Sequence, residues 1–155
     1  MKRKHKQRSG PPETAFWDTS AIVPLCCFQS RISHAARAAR TYARQVTWWA
    51  TCVEALSSFN RLHREENLTQ EGKQQALARL AYLRKRWNEI QPTDEVRNTA
   101  ERLLSSHKLR AADALQLAAA LAWCRHQPRG RYFIGADGDL ATAAEAEGFT
   151  TIRLL

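Results

Sequence analysis

The sequence predicts an α/β fold: a central, mostly parallel sheet flanked by helices on both faces. Three observations predict it. Short apolar runs such as Ala15-Phe16-Trp17 and Tyr132-Phe133-Ile134 alternate with longer segments of helical periodicity. That alternation suits a parallel sheet covered on both sides. Residues 111–124, AADALQLAAALAWC, carry only two polar side chains, Asp113 and Gln116. A helix apolar on nearly every side is buried. The 155 residues suffice for one domain with a real core, and no repeat or linker divides them.

Residues 1–13 read as a basic disordered segment containing Ser9-Gly10-Pro11-Pro12, and 14–155 as the domain. TAFWD is a short buried strand, although periodicity alone does not separate it from a buried helix. TSAIVPLCCF reads as a helix opening at a polar cap, with Pro24 set to kink or shorten it. Ser33 can cap a second helix, HAARAARTYARQ. VTWW is the next strand. In the helix after it, Cys52, Ala55, Leu56, Phe59 and Leu62 recur at the spacing of one apolar face. Thr69 caps a further helix, expected to run through ALARLAYLRKRWNEI as far as Pro92. Thr93 caps TDEVRNTAERLLSSH, and the apolar helix follows. RYFIGAD is a strand running into a turn. DLATAAEAEGF is a helix ended by Gly148, and TTIRLL is a terminal strand.

Composition narrows the function. The net charge is +9, and Lys2, Arg3, Lys4, Lys6 and Arg8 supply five positive charges in a stretch without an acid. A basic protein attracts polyanions, nucleic acid above all, through counterion release. No apolar run approaches the roughly 18 residues of a membrane span, and the basic N-terminus lacks the apolar stretch of a signal peptide. The expected location is the cytoplasm. Cys26, Cys27, Cys52 and Cys124 form no CxxC pair and read as buried reduced thiols. There is no glycine-rich phosphate loop, and no compelling Cys–His or Ser–His arrangement.

Four acids remain. Asp18 and Asp137 directly follow predicted strands, and Glu54 and Asp113 fall in the first turns of predicted helices. Taken singly, each has an ordinary explanation: a helix cap, a turn aspartate, a solvated helix residue or a first-turn acid near a helix dipole. Their common placement is what matters. In open parallel sheets, ligand sites form beyond the carboxyl ends of the strands. Four acids gathered there repel one another unless a cation compensates. Mg²⁺ or Mn²⁺, with hard oxygen ligands, suits such a set. A carboxylate-bound metal in a basic protein points to phosphodiester chemistry.

The pieces FWDTSAIVPL, TWWATCVEALSSFNRL, LRAADALQLAAALA and FIGADGDLATAAEAEGF, in this order, resemble the PIN domain family. The resemblance is to the VapC-type toxins of VapBC toxin–antitoxin pairs, and it runs from about residue 14 to the end. It places the family's four acids at Asp18, Glu54, Asp113 and Asp137. It implies a Mg²⁺- or Mn²⁺-dependent endoribonuclease that cleaves tRNA or rRNA. It also implies a homodimer and a small VapB-like antitoxin, joined in a heterotetramer or larger complex. Two alternatives stay open: a PIN-like nuclease in RNA processing, and a non-catalytic nucleic-acid-binding module.

Two positions depart from the family pattern. Gly135 stands where relatives often carry Thr or Ser, and Asp139 where many carry a basic residue. Asp139 is read as a cap for the helix after it. Thr19 or Ser20 is read as the cap of the first helix, leaving Asp18 for the metal. Arg61, seven residues after Glu54, can reach a phosphate or stand solvated. Of Trp48 and Trp49, at least one must enter the core, because successive strand residues face opposite ways.

Overall fold

A computed structural model describes residues 13–27, 34–136 and 138–154. The expectations for the basic segment up to residue 12, for Ser33 as a cap and for Asp137 lie outside the described residues. The elements are β1 (Thr14–Trp17), α1 (Thr19–Cys26), α2 (His34–Thr41), β2 (Arg44–Trp48), α3 (Thr51–Arg64) and α4 (Gln70–Arg84). They continue with β3 (Asn88–Ile90), α5 (Asp94–Ser106), α6 (Ala111–Trp123), β4 (Tyr132–Gly135), α7 (Gly138–Glu147) and β5 (Thr150–Arg153).

The five strands are all parallel, in the order β3-β2-β1-β4-β5. Side chains alternate along a strand, so neighbouring residues enter different cores. Phe16, Val46, Trp48 and Phe133 pack with α5, α6 and α7 on one face. Ala15, Trp17 and Ile134 pack with α1 to α4 on the other. The sheet is therefore flanked by helices on both faces, as expected. The chain first winds outward through β1, β2 and β3, then returns to build β4 and β5 on the other side of β1. The direction reverses between β1 and β4, and a crevice opens beyond the strand ends at such a switch point.

Local signals explain most boundaries. The Thr69 hydroxyl accepts the Gly72 amide and starts α4, and the Thr93 hydroxyl accepts the Val96 amide and starts α5. Gly148 adopts a φ of +114° after α7, a conformation that favours glycine at a helix end. Pro24 sits inside α1, which is only eight residues long. All four cysteines are free and buried.

Two expectations are corrected. The helix begun at Thr69 stops at Arg84 rather than running towards Pro92, and Asn88–Ile90 form an edge strand paired with Val46–Trp48. Three residues with mixed polarity carry no strand periodicity; the exposed edge of β2 recruits them. Asp139 does not cap α7 but lies within its first turn.

Candidate active site

Asp18 follows β1 directly. Its amide donates to the Ile134 carbonyl at 2.9 Å, which fixes it at the β1–β4 junction. It is the N-cap of α1: its carboxylate accepts the Ser20 amide at 3.1 Å. This overturns the assignment of that cap to Thr19 or Ser20. An aspartate outranks most residues as a cap, and the strand end leaves it in extended geometry (φ −67°, ψ 155°). Ser20 also donates its hydroxyl to Asp18, and that oxygen accepts the Ala136 amide at 2.8 Å.

Thr19 is engaged elsewhere. Its hydroxyl donates to Glu54 Oε2 at 2.8 Å. Glu54 occupies the first turn of α3. Gln116 on α6 donates to the Thr19 hydroxyl at 2.7 Å and to Glu54 Oε2 at 3.1 Å. Three elements thus meet on one carboxylate oxygen. Asp113 lies in the first turn of α6, one turn before Gln116 and half-buried.

Asp18, Glu54 and Asp113 line one cleft of about 410 Å³. Ser20, Pro24 and Arg61 complete much of its wall. A second cleft of about 690 Å³ shares Asp113 and is bordered by Lys108, Arg110 and Asp139. Asp113 thus stands where the two clefts adjoin. Trp48, at the end of β2, is buried, and Trp49, in the turn after it, is half exposed, so one of the pair enters the core as expected.

Asp18 is only 4% exposed. Burial pushes its carboxyl up from 3.8 to about 6. The two bonds from Ser20 oppose that rise, and the neighbouring charges of Glu54 and Asp113 add to it. A carboxylate under this strain gains from a cation. The donor set is hard oxygen, which fits Mg²⁺ or Mn²⁺. Among the described residues, no three His, Cys, Asp or Glu side chains are placed to hold a metal together. Mg²⁺ commonly needs only one or two protein carboxylates, with waters completing its octahedron. The cleft meets that lesser requirement.

The sequence predicts Asp18, Glu54, Asp113 and Asp137 as the site. The structure brings the first three into one cleft, and Asp137 lies outside the described residues. Gln116 is a site residue that the sequence-based expectation omits. It was legible: it is the only other polar residue in an apolar helix, three residues from Asp113 and so near the same face.

Residues 15–123 match the PIN domain family. The chain belongs to the PIN domain family. A search of curated protein sequences finds no significant match. Solved PIN-like structures share the fold at low identity. VapC20 of Mycobacterium tuberculosis, a sarcin-ricin loop cleaving toxin, superposes with a TM-score of 0.63 at 21% identity, over 90% of this chain and 99% of that one. VapBC-5 of the same organism, from a toxin–antitoxin family, gives 0.57 at 21%, over 92% and 100%. A toxin–antitoxin complex from Klebsiella pneumoniae gives 0.55 at 21%, over 83% and 91%. No helix among the described residues of this PIN domain is long and apolar enough to cross a membrane.

Proposed function

We propose that this PIN domain is a Mg²⁺- or Mn²⁺-dependent endoribonuclease, the toxin of a toxin–antitoxin pair. The observation that carries the reading is the convergence of Asp18, Glu54 and Asp113, with Arg61, on one cleft at the sheet's switch point. The toxin role is supported by the fold shared with VapC20 and VapBC-5.

Asp18 and Asp113 are the principal metal-binding residues in this reading, with Glu54 and Asp137 completing the set through the cation's retained waters. A divalent cation there would supply Lewis acidity to a phosphate oxygen and lower the pKa of a water. The protein's own residues do the rest. Ser20 holds Asp18 through two hydrogen bonds and so fixes one carboxylate rigidly. Glu54 is placed to orient a water beside the scissile phosphate. Arg61, in the same cleft, pairs with a phosphate oxygen. Lys108 and Arg110 border the neighbouring cleft, where the next phosphates of the strand can run. Tight burial of Asp18 between apolar residues keeps bulk water from its inner side.

The partners in this reading are RNA and a small VapB-like antitoxin, and the toxin pairs as a homodimer within a heterotetramer or larger complex in the cytoplasm. The test is direct. Purified protein is incubated with total RNA and Mn²⁺, with and without a chelator. Metal-dependent cleavage is expected to fall about 100-fold or more in Asp18→Ala. RNA binding without metal-dependent cleavage, unchanged by Asp18→Ala, overturns the enzyme reading. A folded DNA-binding protein that co-purifies with the chain and suppresses cleavage supports the toxin role; cleavage unaffected by the product of the adjoining gene counts against it.

A further inference from the structure

We propose that Gln116 is a positioning residue, which with Thr19 fixes the carboxylate of Glu54 for its work in the cleft. The inference rests on the metal-dependent reading of that cleft for its purpose, and on the hydrogen bonds alone for its mechanics.

Gln116 is fully buried in a helix whose neighbours Leu117, Ala118, Ala119 and Ala120 are all core. Its amide nitrogen donates to Thr19 Oγ1 at 2.7 Å and to Glu54 Oε2 at 3.1 Å. The Thr19 hydroxyl, having accepted from Gln116, donates to the same Glu54 oxygen at 2.8 Å. The three groups close a triangle with its donors pointed at the carboxylate. The amide cannot be turned over without facing its oxygen to that carboxylate, acceptor against acceptor. Glu54 therefore sets the orientation of Gln116. The consequence is visible on the other side: Gln116 Oε1 is buried and has no hydrogen-bond partner among the described residues.

A buried acceptor without a donor is costly. An apolar side chain at position 116 would suit the surrounding core and avoid that cost. The benefit that offsets it lies in the two bonds to Thr19 and Glu54. Both bonds on Glu54 land on Oε2 and come from α6 and from the start of α1. They hold the carboxylate in one rotation, and a glutamate otherwise has three torsions to lose before it can act. Outer partners of this kind orient a ligating carboxylate and tune what it holds.

The test uses Gln116→Met, close in volume and without donors, and Thr19→Val, equal in shape without the hydroxyl. Thr19→Ser keeps the hydroxyl and is the conservative control. Two readouts are taken on the full chain. Metal-free crystal structures report where the Glu54 carboxylate lies. Electron paramagnetic resonance titration with Mn²⁺ reports affinity, independent of any cleavage. In Gln116→Met and Thr19→Val the carboxylate is expected to leave its position and Mn²⁺ affinity to fall about 10- to 100-fold. Thr19→Ser is expected to match the wild type in both. Glu54 unmoved in both Gln116→Met and Thr19→Val overturns the proposal, as does Mn²⁺ affinity within twofold of a wild type that binds it. If Gln116→Met fails to fold, Thr19→Val decides. A wild type that binds no Mn²⁺, with Glu54 displaced in the variants, overturns the metal reading and leaves the positioning role standing.

Discussion

Ser20 donates its hydroxyl to the Asp18 carboxylate, and the same oxygen receives the Ala136 amide at 2.8 Å. One small side chain thereby ties the carboxylate after β1 to the backbone after β4. These two strands flank the switch point, so Asp18, the most buried of the site's described acids, is held from both sides of it.

That acid has a stability cost with a definite pH dependence. Asp18 titrates near 6 in the folded protein, above its ordinary 3.8. Between about pH 4 and 6 the native state keeps a proton that the unfolded chain has lost. Stability therefore falls as pH rises through that window, by up to about 3 kcal/mol for this group. Asp18→Asn can still accept both bonds from Ser20. It is expected to match wild-type stability below pH 4 and exceed it by about 1–3 kcal/mol above pH 6.5. Urea unfolding at several pH values without divalent metal checks this; equal stability at all pH values sinks it.

A cation that compensates the acids should bind the folded chain alone. Mn²⁺ at 100 times its dissociation constant would add about 2.7 kcal/mol. For a domain of this size that raises Tm by roughly 5–10 °C. A chelator is expected to reverse the rise, and Asp18→Asn to show little of it. Differential scanning calorimetry reads both; no rise in the wild type counts against the cation site.

Gly135 is expected to accept a methyl group. A Cβ there would stand 3.4 Å from Asp18 Cβ and 3.5 Å from Ser20 Oγ, ordinary contact distances. Its φ lies outside the left-handed region that favours glycine. Gly135→Ala is therefore expected to stabilise the protein by about 0.5 kcal/mol through the unfolded state. Loss of more than about 1 kcal/mol in urea unfolding would show that the strand end tolerates no side chain.

The tryptophan pair separates a core residue from a surface residue. Trp48 packs between the sheet and α6, while Trp49 is half exposed and touches Trp48 edge-on. Trp48→Ala is expected to cost about 3–5 kcal/mol. Trp49→Ala should cost about 1 kcal/mol or less. Chemical denaturation of the two variants gives the comparison directly, and equal losses would contradict the burial difference.

Sequence alone determined the alternation of strands and helices, because apolar spacing and polar caps act within a few residues. Thr69 and Thr93 start their helices where their hydroxyls predict, and Gly148 ends α7. It also singled out Asp18, Glu54 and Asp113, because an acid beside apolar residues is conspicuous in one dimension. Tertiary structure decided what pairing across the chain decides. The strand Asn88–Ile90 exists because the edge of β2 binds it, and nothing in those three residues announces it. Asp18 caps α1 itself because Thr19 is drawn to Glu54, 35 residues away, and Ser20 to Ala136, 116 away. Gln116 was visible as the odd polar residue of its helix. Its partners, Thr19 and Glu54, come from parts of the chain 97 and 62 residues distant. Hydrogen bonds of that range depend on the order in which strands enter the sheet, and only the folded chain sets that order.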